Sequence, residues 1–95
     1  MPAYVIADVE VLDSVRYEDY KGLVPLSISK YGGRFLARGG EVQTLEGTWT
    51  PGRLVIVEFP SLARAREWYA SAEYAPAKAL RQATSKGSLV VVEGL

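Results

Sequence analysis

The order of apolar patterns along the chain predicts an α+β domain, β-α-β-β-α-β, with four strands in one antiparallel sheet and the helices on one face. Three observations predict it. Ala3–Val11 alternates apolar and other residues with a period of two, Arg53–Phe59 is rich in Val, Ile and Phe, and helical spacing follows each of these segments. The chain has 95 residues, so residues 1–95 make a single domain with no room for a second.

In the first segment Val5, Ala7, Val9 and Val11 fall on one side and Tyr4, Ile6, Asp8 and Glu10 on the other, as in a strand. Asp13 and Ser14 each offer an oxygen to cap a following helix, whose Tyr17, Tyr20, Val24, Ile28 and Tyr31 recur at steps of three and four. Pro25 removes one backbone bond within it and predicts a kink or a break. Gly32–Gly33 stops the helix. Arg34–Arg38 reads as a second strand, Gly39–Gly40 as a tight turn, Val42–Leu45 as a short returning edge strand, and Gly47–Gly52 as loop. Arg53–Phe59 is the third main strand, ended by Pro60. Ser61 caps a helix over Leu62–Ala70, and since a residue before proline avoids helical geometry, a second piece restarts at Pro76 and runs to Thr84. Gly87 separates it from a last strand, Ser88–Glu93. With its second helix in two pieces, this is the ferredoxin-like, or split βαβ, order.

Composition removes several chemistries. The absence of Cys and His excludes disulfides, Cys/His zinc sites, haem on a protein imidazole, Ser-His-Asp triads and Cys nucleophiles. Lys plus Arg and Asp plus Glu each number 11, so no positive footprint for nucleic acid or an anionic membrane is present, and neither partner is expected. The longest aliphatic runs, Leu54–Val57 and Leu89–Val92, are too short to span a bilayer, and Met1–Tyr4 lacks a targeting pattern. A cytoplasmic location is expected. No metal or cofactor is expected, because the acidic residues show no ligand spacing.

An antiparallel sheet with one wet face should alternate cleanly, yet the third and fourth strands are nearly continuous in apolar residues. Ile6 with residues from Leu54–Val57 and Val90–Val92 predicts a bare apolar patch that the helices leave uncovered. A second copy is the simplest cover, so the chain is expected to pair into a homodimer, a dimeric α+β barrel.

The runs Tyr31-Gly32-Gly33-Arg34-Phe35-Leu36-Ala37-Arg38-Gly39-Gly40, Leu45-Glu46-Gly47-x-Trp49, Val57-Glu58-Phe59-Pro60-Ser61 and Trp68-Tyr69-x-Ser71-x-Glu73-Tyr74, with Arg81 and Val91-Val92-Glu93-Gly94, span essentially the whole chain. Together they resemble an uncharacterised bacterial family, domain of unknown function thirteen-thirty. The resemblance implies the dimeric α+β barrel superfamily, whose branches include monooxygenases, muconolactone isomerases, haem-degrading enzymes and stress-responsive proteins. It transfers no catalytic residues. The haem-degrading branch is disfavoured, since its proximal histidine has no counterpart here.

Charged residues within otherwise apolar strands are the candidate site. Asp8 shares a parity with Ile6, Glu58 with Leu54 and Ile56, and Arg34 and Arg38 with Leu36, so all four are expected on the face between subunits. There Arg34, Arg38 and Glu58 line a polar pocket, with Asp8 a weaker member; alternatively, Glu58 and Arg38 form a structural ion pair. Trp49, on a loop, either plugs the barrel mouth or clasps the partner, and Tyr74 sits at the break between helical pieces. The other tyrosines read mainly as core or interface. Glu58 and Asp8 are the candidate catalytic groups, and Arg34, Arg38, Trp49, Glu58 and Tyr74 the candidate ligand-binding ones. The expected function is binding of a small organic ligand at the barrel mouth, either with cofactor-independent chemistry of an isomerase or monooxygenase type, or as a binding or structural module without chemistry. An RNA-binding sheet needs stacking aromatics on its central strands, where this chain has Ile6, Leu54 and Ile56.

Overall fold

The period-two pattern of the first strand survives folding: Ala3, Val5, Ala7 and Val9 are buried, and the residues between them are not. A computed structural model describes residues 1–95. Its elements are β1 (Ala3–Val11), α1 (Ser14–Lys30), β2 (Arg34–Arg38), β3 (Arg53–Phe59), α2 (Leu62–Tyr69), α3 (Ala75–Thr84) and β4 (Ser85–Glu93). The sheet order is β2-β3-β1-β4, with every neighbouring pair antiparallel. This is the α+β, ferredoxin-like arrangement that the pattern predicts.

Register fixes what each face carries. Val5 lies opposite Val57 and Val91, and Ala7 opposite Val55 and Leu89, on the face the helices cover. There Val24 and Ile28 of α1, Ala65 and Trp68 of α2, and Tyr74 and Ala77 close over Val5, Val57 and Phe59. The Trp68 indole donates to the Ser27 hydroxyl at 3.1 Å, so the polar end of this buried ring is satisfied. On the other face Ile6 lies opposite Ile56 and Val90, and Tyr4 opposite Glu58 and Val92. No helix reaches that face, and Val90 and Val92 are 57% and 49% exposed.

Four sequence expectations differ from the structure. Residues 39–52 form one exposed loop, and Val42–Leu45 has no strand partner; a segment that alternates Val with Glu, Gln and Thr gains too little burial to hold an edge position. β4 begins at Ser85 rather than Ser88, and Gly87 lies inside it, because a Cβ there would overlap the Asp8 carbonyl oxygen of the neighbouring strand. α1 runs unbroken across Pro25. The fourth difference explains the third. A bulge in β2 between Phe35 and Ala37 shifts the register against β3, so that Arg34 lies opposite Glu58 but Arg38 lies opposite Val55, a residue of the helix-covered face. Arg38 therefore points away from Arg34 and Glu58. Pro25 has no N–H for the Lys21 carbonyl, and Arg38 Nη2 supplies the missing donor at 2.7 Å while its guanidinium lies 4.3 Å from the centre of the Phe35 ring.

At its far end α1 is tied to the α2–α3 junction. The Tyr31 hydroxyl donates to Glu73 at 2.7 Å, and Lys30 pairs with the same carboxylate at 3.1 Å. The Tyr31 hydrogen bond first, then a backbone bond and Lys30, pull the Glu73 pKa down to about 2 from 4.5.

Two outcomes are expected. Arg38→Met leaves the Lys21 carbonyl without a donor and lowers stability by about 1–2 kcal/mol; in a Pro25→Ala background, where the backbone bond returns, the loss shrinks, so a double-mutant cycle by urea unfolding reads a coupling of about 1 kcal/mol. For Glu73 the folded pKa lies below the unfolded one, so its contribution is present above pH 4.5 and is lost as pH falls towards 2. Melting temperature followed through that window should fall less steeply for Glu73→Gln than for the natural chain.

Candidate functional site

The bulge in β2 divides the sequence-predicted residues between two places. On the uncovered face Arg34 Nε donates to Glu58 Oε1 at 2.8 Å, with the Arg34 side chain 72% exposed. The expected pair of Glu58 with Arg38 is replaced by Glu58 with Arg34, the residue that register sets opposite it. An exposed pair of this kind contributes at most about 1 kcal/mol.

Asp8, further along the same face, is occupied. Its Oδ2 accepts from the Trp49 indole and its Oδ1 from the Gly52 N–H, each at 2.9 Å, and the Thr44 hydroxyl donates to the Trp49 carbonyl at 2.9 Å. One carboxylate thus fixes the path of the loop over residues 39–52 at its return to β3. Trp49 remains 60% exposed and Leu45 95% exposed, so this anchored loop presents apolar side chains outward.

Tyr74 and Arg38 belong to the second place, the cleft between the helices and the covered face of the sheet. Tyr74 is fully buried, stacked on Trp68 with ring centres 4.1 Å apart, and its hydroxyl accepts from Arg81 Nε at 3.2 Å. Tyr17, Tyr20, Arg53 and Arg81 line the same cleft above Val55 and Leu89. Tyr17 and Tyr20 lie with ring centres 5.1 Å apart, and the Arg53 guanidinium lies 5.7 Å from the centre of the Tyr17 ring. Burial first, and then the Tyr74 hydroxyl beside it, push the Tyr20 hydroxyl well above the usual tyrosine range, so it stays a neutral donor at physiological pH. Burial works against the charge on Arg81, but Tyr74, followed by Tyr20 and Tyr69, outweighs it and raises its pKa.

Sequence reasoning did not single out Arg53 and Arg81 as site residues. Arg53 reads as the polar first residue of a strand, although its odd parity with Val55 and Val57 already sets it on the covered face. Arg81 lies seven residues after Tyr74, two helical turns, which was the available signal. No group of three or more potential metal-ligating side chains occurs, and no helix is long and apolar enough to cross a membrane.

A family model described as "Domain of unknown function (DUF1330)" matches residues 2–95. The chain belongs to this family. Among solved structures, a protein of unknown function from Rhodopseudomonas palustris is similar with a TM-score of 0.80 at 20% identity, over 99% of this chain and 82% of that one. SnoaB, a cofactor-independent oxygenase from Streptomyces nogalater, is similar with a TM-score of 0.64 at 11% identity, over 99% of this chain and 93% of that one. Rv0793 from Mycobacterium tuberculosis reaches 0.58 at 18% identity, over 100% and 96%. These likenesses carry the fold, one four-stranded antiparallel sheet with its helices on one face. No curated protein matches the chain.

Removing the Asp8 clamp should free the loop. Asp8→Ala is expected to lower stability by about 1.5–3 kcal/mol and to let a protease cut between residues 39 and 52 at concentrations that spare the natural chain. Asp8→Asn, which keeps an acceptor for the Gly52 N–H, should fall between the two in both measurements.

Proposed function

We propose that the chain acts as a homodimer, sheet against sheet, and that each subunit binds a small organic molecule in the cleft between α1, α3 and the sheet. The ligand reading is carried by one observation: the polar ends of Tyr20, Tyr74 and Arg81 meet, and Arg53 lines the same space, where packing alone would set aliphatic groups. A core has no use for them. The ligand then sits inside each subunit, while Asp8, Arg34, Trp49 and Glu58 belong to the contact between subunits.

Support for the homodimer comes from the uncovered face. Tyr4, Ile6, Leu54, Ile56, Val90 and Val92 form adjoining rows there, and the chain has no further element to lay over them. Each aliphatic side chain taken from water contributes about 1.5–3 kcal/mol before the cost of association.

An enzyme without a cofactor is a second reading, favoured by Tyr20, which lines the cleft and whose neutral hydroxyl can donate a hydrogen bond to an oxygen atom of a substrate. SnoaB is described as a cofactor-independent oxygenase, and 11% identity to it carries shape rather than reaction.

Sedimentation at micromolar concentration should give a dimer, and Val90→Glu, which sets a carboxylate in the apolar contact, should weaken it by about a hundredfold or more while leaving a folded monomer. A folded monomer from the natural chain would end the dimer reading. For the cleft, Trp68 fluorescence in a Trp49→Phe background, read together with melting temperature, should respond to small aromatic compounds such as phenol, benzamide and benzoate. Tyr20→Phe separates the two readings, because a binding module keeps most of its affinity, whereas an enzyme loses turnover of any substrate found.

A further inference from the structure

The charge of the cleft is one-sided. Arg38, Arg53 and Arg81 line it, and no aspartate or glutamate does. The ion pairs of the chain engage Arg16, Lys21, Lys30, Arg34, Arg64 and Lys86, so none of these three guanidiniums meets a carboxylate. Two of them have other work: Arg38 covers the Lys21 carbonyl, and Arg81 Nε donates to the Tyr74 hydroxyl.

Arg53 has none. Its Nε is the one buried side-chain nitrogen or oxygen without a hydrogen-bond partner. Gly39, at φ +73°, lets the guanidinium lie against the chain, and a Cβ at that position would overlap it. A buried Nε–H without an acceptor lowers the stability of the free protein. Nε together with a neighbouring Nη also forms the flat fork that receives a carboxylate through two parallel hydrogen bonds, as a single-oxygen anion cannot.

We propose that the cleft takes an aromatic carboxylate, with the carboxylate seated on the Arg53 fork and the ring held among Tyr17, Tyr20 and Trp68. This rests on the ligand cleft argued above and adds the class of ligand. About 30 Å³ is open among these side chains, room for little beyond a water molecule. The ring therefore enters as the N-terminal half of α1, which carries Tyr17 and Tyr20, moves outward about Pro25, where a side chain stands in for a backbone bond.

The test compares benzoate with benzamide, a neutral molecule of the same shape, by Trp68 fluorescence in the Trp49→Phe background and by melting temperature at pH 7. Benzoate is expected to bind at least tenfold more tightly. Arg53→Met should raise the melting temperature of the free protein by a few degrees, since the buried Nε–H without an acceptor is gone, and weaken benzoate at least tenfold. Arg53→Lys, which keeps the charge but not the fork, should also weaken benzoate, and Arg66→Met on the exposed side of α2 should change neither quantity. Equal binding of both probes would overturn the carboxylate assignment and leave the ligand cleft standing. Silence towards both would overturn the cleft as well. A lower melting temperature for Arg53→Met with benzoate binding unchanged would make Arg53 a packing residue and sink the proposal.

Discussion

The single residue by which β2 slips against β3 governs how charge is distributed in this fold. Without the bulge between Phe35 and Ala37, Arg34 and Arg38 would lie on one face, as strict alternation demands. With it, one guanidinium stays with Glu58 on the uncovered face and the other crosses to the helices. The crossing makes Pro25 tolerable in mid-helix, because the carbonyl that proline orphans meets a charged donor at 2.7 Å. It also leaves the candidate cleft with positive groups alone.

Much of the fold is legible in the sequence because the signals are local and agree with one another. β2 and β3 have the predicted bounds, Asp13 and Ser61 cap the helices as expected, and the second helix is in two pieces, although α3 begins at Ala75, so the residue before Pro76 is itself helical. The face each strand buries is legible as well, with the exception of β2, since a bulge leaves no mark in a run as short as Arg-Phe-Leu-Ala-Arg. Gly87 misled for a related reason. Glycine commonly marks a boundary, but here it serves a close approach between β4 and the Asp8 carbonyl, which only the paired strands reveal.

The candidate site was less legible, and the reason is again the sheet. Counting parity gathers Asp8, Arg34, Arg38 and Glu58 on one face, but it is silent on whether each is already satisfied. Asp8 meets its loop through both oxygens, and Glu58 meets Arg34. Groups so occupied serve architecture first. The unoccupied one, Arg53, resides in a position that looks like an ordinary strand beginning, because whether a guanidinium finds a partner depends on residues from elements far apart in the chain. Tyrosines behave similarly: their helical spacing marks a packed stripe correctly and gives no hint that the hydroxyls of Tyr20 and Tyr74 meet beneath it.

The arrangement of Pro25 with Arg38 ties two distant positions into one inheritance. A relative that restores an ordinary helix former at the first no longer has an empty carbonyl to serve, and its second position is released to become neutral, acidic or aromatic. The electrical character of the interior can thus be retuned at Arg38 without dismantling the helix, once Pro25, which does not border that space, has changed.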